Sequence, residues 1–264
     1  MKIVTLSENY AKDKGILAEH GLSLYLETFN SDGTINHRIL FDTGQCDVFI
    51  KNAQKLGVDL SNVDSVVISH GHYDHAGGLN NFLKINKKAK IYMKMEALAP
   101  KFHKDKLFIG FEPDMSLMDG RVEFIDEVTN IGESAFIFPE ILIFSEFDTS
   151  FMGRDKFDDE LFLAVVENSS VTVLSSCSHR GISNIVKAAH EYLKLPIKNI
   201  IGGFHTRDVS EDRINFIAHN LKQYSPESIG ICHCTGFENL SQFRELLPET
   251  SVFYNNSGNK IFLN

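Results

Sequence analysis

Leu22, Leu24 and Leu26 alternate with Ser23, Tyr25 and Glu27, the two-residue period of a strand that turns one face inward. Asn30-Ser31-Asp32-Gly33 is a turn signal, and it predicts a hairpin whose second strand ends at Phe41. From Cys46 to Leu56 the spacing changes: Phe49, Ala53 and Leu56 fall on one face of a helix. Val66-Val67-Ile68 is a short, wholly apolar run, as expected of an inner strand covered on both sides. Further along, residues 161–166, 171–174, 197–201 and 229–231 read as strands, and Ile182–Leu193 and 209–221 read as helices. A hairpin-rich opening followed by strand–loop–helix units predicts sheets covered by helices, rather than one doubly wound sheet.

Residues 95–160 interrupt this rhythm. They hold ten of the chain's 21 phenylalanines, which serve either as additional core or as walls of a cap over a site. The expectation is one domain spanning residues 1–264, with residues 95–160 as a Phe-rich insertion capping the site. Composition adds little against this picture: 43% hydrophobic and 23% charged residues are globular values. Charge changes it more. Twenty-six basic against 35 acidic residues give −9, which argues against a nucleic-acid partner and for a small-molecule one. No apolar stretch reaches membrane-spanning length, and the segment after Lys2 does not read as a signal peptide. Cys46, Cys177, Cys232 and Cys234 are too few for a disulfide framework, so a reduced, cytoplasmic protein is expected.

The chemistry concentrates in Ser69-His70-Gly71-His72-Tyr73-Asp74-His75-Ala76-Gly77-Gly78, directly after an apolar strand. Three imidazoles and a carboxylate within six residues form a metal-ligand cluster of nitrogen and oxygen donors. One short loop cannot surround two ions, so further donors must come from later strand ends. His179, His205 and His233 each stand just after a predicted strand. Cys232-His233-Cys234 lacks a second cysteine pair and does not have zinc-finger spacing. His190 and His219 sit in helical patterns as surface residues, and His37 and His103 carry no signal.

His70-x-His72-x-Asp74-His75 resembles the signature loop of the metallo-β-lactamase fold superfamily. Glu19-His20-Gly21, Phe41-Asp42-Thr43-Gly44, Cys177-Ser178-His179, Gly202-Gly203-Phe204-His205 and His233-Cys234-Thr235-Gly236 narrow the resemblance to one branch. That branch contains the dihydropterin-(ribofuranosyl)aminobenzene-phosphate synthases and related metal-dependent hydrolases. The resemblance implies an αββα sandwich of two mixed β-sheets with a dinuclear metal site at one edge. His70, His72 and His179 would hold the first ion, and Asp74, His75 and His233 the second. The superfamily's bridging aspartate is replaced here by Ser176-Cys177. Cys177, an acidic residue from 155–160, or water alone would take its place. Asp42 would support the loop from below, His20 would approach the site, and His205 is either a ligand or a bystander.

The expected cofactors are two divalent ions, zinc first, with iron or manganese as alternatives. The expected activity is hydrolysis or group transfer on a phosphorylated or pterin-like anionic small molecule. It would use a metal-bound hydroxide or a metal-clamped phosphate leaving group, with Asp74 orienting the nucleophile or shuttling its proton. Arg180 and the N-terminus of the helix after Gly181 would favour an anionic substrate, unless Arg180 is simply solvated. Two other readings stand beside this one: a non-catalytic metal-dependent ligand-binding or sensor protein, and a diiron redox protein of the same fold.

Overall fold

A computed structural model describes residues 1–104, 106–153 and 155–263, so two positions of the 95–160 segment lie outside the description. In chain order the first half runs β1 (Lys2–Ser7), β2 (Ser23–Phe29), β3 (Ile35–Phe41), α1 (Val48–Leu56), β4 (Ser65–Val67), α2 (Tyr73–Ala76), α3 (Leu79–Ile85) and β5 (Lys90–Met93). The Phe-rich segment carries β6 (Phe102–His103), β7 (Leu107–Phe108), α4 (Met115–Met118), β8 (Val122–Phe124), β9 (Thr129–Ile131) and β10 (Ala135–Phe138). Then follow β11 (Phe162–Glu167), β12 (Ser170–Ser175), α5 (Ile182–Leu193), β13 (Ile197–Gly202), α6 (Glu211–Lys222), β14 (Ser228–Ile231), α7 (Leu240–Leu246), β15 (Ser251–Tyr254) and β16 (Lys260–Phe262).

Two seven-stranded sheets result, in the orders β16-β1-β2-β3-β4-β5-β8 and β15-β14-β13-β12-β11-β10-β9. Each is mixed. In the first, β16 through β3 pair antiparallel and β3 through β8 parallel. In the second, β15 through β12 are parallel and the hairpin strands β11, β10 and β9 antiparallel.

The side-chain period of two sorts each strand between two cores. Leu24, Leu26, Val67, Leu163, Leu174 and Ile201 point into the layer between the sheets. Their neighbours Tyr25 and Val66 pack outward with Phe49 of α1 and Phe82 of α3. Val173 and Ile200 pack outward with Ile185 of α5 and Ile217 of α6. This is the αββα sandwich. Ser23 and Tyr25 are as buried as the leucines beside them, because helices cover the face that strand alternation alone leaves to solvent.

Local signals set the helix ends. The side chain of Ser210 caps α6 by accepting from the Arg213 amide, with Glu211 and Asp212 in its first turn. Gly57, at φ 74°, closes α1 in the left-handed conformation. The Phe-rich segment is less of an insertion than its composition implies. It supplies β8 to one sheet and β9 and β10 to the other, and only β6–β7 stands off as a separate two-stranded hairpin.

Candidate metal centre

The loops after β1, β3, β4, β12, β13 and β14 meet at one edge of the sandwich, and three of these strands, β12 to β14, run parallel side by side. Parallel neighbours deliver their C-terminal loops to the same edge, which is where α/β sheets place their sites. The chain turns sharply there. Asp42, Ser178, His205, Asp208 and His233 all take left-handed backbone angles, with φ between 50° and 60°. Each such residue costs on the order of 1 kcal/mol or more and persists only where its surroundings hold it. At Gly71 a Cβ would run into the carbonyl of Ala97, so only glycine lets the histidine loop pass.

Six side chains converge into two groups. His75 Nε2 lies 3.1 Å from His233 Nε2, and Asp74 Oδ2 lies 3.6 Å from the first and 3.4 Å from the second. His70 Nε2 lies 3.1 Å from His72 Nδ1, and His179 offers a donor atom within 4.8 Å of both rings. Two nitrogen ligands at about 2.0–2.1 Å on a tetrahedral ion stand about 3.3 Å apart, so both groups have the span of a metal site. Cys177 adjoins both: its sulfur lies within 4.8 Å of ring nitrogens of His70 and His75.

The remaining ring nitrogens are held from behind. Asp42 Oδ2 accepts from His75 Nδ1 at 2.8 Å and from the Ser69 hydroxyl at 2.7 Å, and the Ser176 hydroxyl donates to it as well. His70 Nδ1 meets the Ser69 hydroxyl at 2.8 Å, His179 Nδ1 meets Glu160 Oε1 at 3.0 Å, and His233 Nδ1 meets Asn9 Oδ1 at 2.9 Å. Such partners fix the tautomer and aim the other nitrogen, as metal-bound histidines require.

The donor set fits cations. Whichever tautomer His72 adopts, one buried ring nitrogen is left over, and its Nε2 has no hydrogen-bond partner among the described residues. Burial pushes His72 and His233 down to about 4, and pushes His70 and His179 well below the usual histidine range. These are neutral imidazoles with lone pairs. Burial also opposes charge on His75, but the carboxylates of Asp74 and Asp42 outweigh it and raise this ring to about 9. Without an ion, a proton on His75 fills the gap to His233. Burial would raise Asp74, yet the charge of His75 and hydrogen bonds from His20 and His233 hold it well below the usual carboxylate range.

A cleft of about 340 Å³ opens over the two groups. His20, Tyr73, Cys177, His205 and Cys234 line it, with Arg207 and Asp208 to one side. His20 Nε2 reaches Asp74 Oδ2 at 3.2 Å. His205 packs its ring 4.7 Å from that of His179 and shares a potential donor group with Cys177 and His179.

Other expectations need correction. Arg180 turns away from the cleft: its guanidinium donates to the carbonyls of Ile141 and Lys156 and pairs with Asp158 at 2.9 Å. The start of α5 is also taken, because the Ser183 amide donates to Asp148 Oδ2 at 2.7 Å. Acidic residues of 155–160 do not bridge the two groups. Asp159 accepts from the Gly71 amide and from Lys101, and Glu160 from the amides of His179 and Arg180, so both brace the backbone. No phenylalanine of the 95–160 segment is among the residues that line the cleft. The segment's contribution is His103, Leu107, Ile109 and Met152, while Phe157 stacks on His179 at 3.7 Å from behind.

Sequence reasoning missed Glu8 and Asn9, which hold His233 through its amide and its Nδ1. It also missed Lys101, His103 and Arg207. Only Glu8-Asn9, polar residues ending an apolar strand, left any local trace.

Known proteins are similar to this chain in sequence and fold. The sequence profile of the metallo-beta-lactamase superfamily matches residues 32–158. A 7,8-dihydropterin-6-methyl-4-(beta-D-ribofuranosyl)-aminobenzene-5'-phosphate synthase from Methanocaldococcus jannaschii is 30% identical, over 94% of this chain and 92% of its own. The crystal structure of Tm1679, a metal-dependent hydrolase of the beta-lactamase superfamily, superposes with a TM-score of 0.84 at 31% identity, covering 100% of this chain and 99% of that one. YhfI from Bacillus subtilis, at 12% identity and a TM-score of 0.57, over 98% of each chain, shares the fold alone. With full-length similarity in sequence and structure added to a histidine loop at the sandwich edge, the chain belongs to the metallo-β-lactamase superfamily.

Proposed function

We propose that this protein is a dinuclear metal-dependent enzyme acting on a phosphorylated or pterin-like small molecule, by hydrolysis or by transfer with loss of a phosphate group. One observation carries the reading: two buried groups of histidine and carboxylate donors, with donor atoms 3.1–3.6 Å apart, open on a single cleft. His70, His72 and His179 would hold one ion and Asp74, His75 and His233 the other, zinc being the first candidate and iron or manganese the alternatives. Such ions supply Lewis acidity, lower the pKa of bound water, and neutralise charge on a departing phosphate oxygen.

The chain's own residues do the rest. Asp74 stays ionised, so its Oδ2 can take a proton from a nucleophile in the cleft. His20 Nε2, half exposed at the mouth and 3.2 Å from that oxygen, can pass the proton on to solvent. Asp42, Glu160 and Asn9 keep the histidines aimed. Cys177 is the residue best placed to bridge the two groups. Leu107, Ile109 and Met152 give the cleft an apolar wall against which a flat ring can lie. The synthase relative, whose product carries a pterin and a phosphate, supports this substrate class.

The test is metal content per chain by mass spectrometry, on the wild type and on His179→Ala and His233→Ala. About two transition-metal ions, falling in each variant, support the dinuclear site. A screen of phosphomonoesters, phosphodiesters, lactones, and dihydropterin diphosphate with an arylamine then tests turnover. No bound metal overturns the proposal, and ligand binding without any turnover replaces it with a sensor.

A further inference from the structure

Most arginines whose contacts the structure gives are occupied. Arg180 pairs with Asp158, Arg213 donates to the Asp148 carbonyl and to Ser150, and Arg121 caps carbonyls of Asn86 and Ala89. Arg207 differs. It is half-buried, lines the cleft and forms no ion pair among the described residues; its one side-chain contact is a long 3.4 Å bond to the His233 carbonyl. Its backbone is nevertheless firmly placed. The Arg207 amide donates to the Cys234 carbonyl at 3.1 Å, and the neighbouring Thr206 is tied to Thr235 at 3.0 Å and to Asn239 at 2.7 Å. The left-handed angles of His205 and Asp208 complete this tight loop. A guanidinium carried on an anchored loop, with no ion pair among the described residues, is available to an anion in the cleft.

A second basic side chain lines the cleft. The β6–β7 hairpin brings His103 to the cleft wall, with exposed Lys104 and Lys106 in the same turn. Its base is anchored: Ile109 donates to the Lys101 carbonyl, Tyr73 donates to the Ile109 carbonyl, and Lys101 is locked to Asp159 at 2.8 Å. Leu107, Ile109 and Met152 line the same cleft. His103 and Arg207 thus line one cleft, two basic side chains suited to an anionic group.

We propose that Arg207, with His103 on the hairpin, forms an anion subsite of the cleft that holds a phosphomonoester group of the substrate at a distance from the reacting bond. This deepens the functional reading above and rests on it. The substrate class becomes a molecule with an apolar or flat middle, a reacting end over the histidine cluster, and a separate phosphate on Arg207. Arg207 acts here by binding and orienting, and carries no proton in the reaction.

The probe is phenyl phosphate, with benzoate and phenol as comparisons, titrated calorimetrically into the protein as isolated. Phenyl phosphate is expected to bind the wild type, and Arg207→Met to weaken it at least tenfold. Arg207→Lys should recover part of the loss, and phenol should not distinguish the variants. Phenylglyoxal labelling followed by peptide mass spectrometry gives a second readout on unmutated protein, in which phenyl phosphate should protect Arg207. Equal affinity in Arg207→Met, or undiminished labelling of Arg207, overturns the subsite. Benzoate binding as tightly as phenyl phosphate overturns the phosphate assignment in favour of a carboxylate. Metal content measured on the same samples separates the two proposals: unchanged metal with unprotected Arg207 rejects the subsite alone, whereas protein without metal rejects the enzyme reading.

Discussion

Asp42 accepts hydrogen bonds from the Ser69 amide, the Ser69 and Ser176 hydroxyls and His75 Nδ1, all in a fully buried position. Asp42→Asn keeps the shape but places an amide against some of these donors. Second-layer changes of this kind typically cost 10–100-fold in metal affinity, and that loss is expected in a competitive chelator titration. His75 yields a pH prediction. Its ring is raised to about 9 in the metal-free chain, above its unfolded value, so its protonation stabilises the fold fully below about 6.5. That contribution fades as pH rises through about 9. An ion at the same nitrogen must displace the proton, so metal uptake at pH 7 should release about one proton at this site. Calorimetry in buffers of different ionisation enthalpy measures that release, and a buffer-independent heat would contradict it.

At the scale of elements, the histidine loop is braced by the hairpin segment through one buried ion pair. Lys101 and Asp159 are both buried and 2.8 Å apart, and Asp159 also accepts from the Gly71 amide at 2.7 Å. Asp159→Ala leaves the buried Lys101 ammonium only Asp155, 3.6 Å away, and the Gly71 amide without its acceptor, and should destabilise the protein by about 1–3 kcal/mol in denaturant unfolding. Lys101→Met combined with Asp159→Asn should cost markedly less, because no buried charge is left alone. Helix α5 depends on Asp148 in a different way. Burial raises this carboxyl to about 6, and the Ser183 amide and Arg213, 3.9 Å away, only partly offset it. A carboxyl raised above its unfolded pKa stabilises the fold in full below about pH 4, and the contribution is lost as pH rises through about 6. Asp148→Asn should therefore gain on the wild type by about 1–3 kcal/mol between pH 4 and 7.

The elements also explain what was legible in the sequence. Helix α5 was readable to the residue because its apolar period is uninterrupted and Gly181 precedes it. The histidine loop was readable because its donors lie within six residues of one another. Glu8 and Asn9 were not, since their meaning depends on His233, more than 220 residues away. Arg180 shows the same limit in reverse, its sequence leaving open an anion contact or a solvated side chain. Only folding supplies Asp158 and two carbonyls to take its guanidinium away from the cleft. Local patterns survive in sequence, whereas pairing across sheets does not.

For the whole molecule, the candidate ligands divide between layers. His70, His72, Asp74 and His75 follow a strand of the first sheet, while His179 and His233 follow strands of the second. Ions held there would pin the two sheets together in addition to the core between them. At metal concentrations of about 1,000 times Kd the stabilisation is about 4 kcal/mol, so stripping the metal should lower Tm by on the order of 10 °C for a chain of this size. Scanning calorimetry with and without chelator measures this, and an unchanged Tm would place the ions elsewhere.

The same division sets a timetable. His75 and His233 face each other across 158 residues of chain, a stretch that takes roughly 10–30 s to synthesise. Throughout that interval the emerging polypeptide would present a histidine loop with one or both of its later partners, His179 and His233, still unmade, a weak and unselective trap for passing ions. An ion that needs all six donors would therefore be fixed only in the final moments of folding, from whatever metals the surroundings offer then.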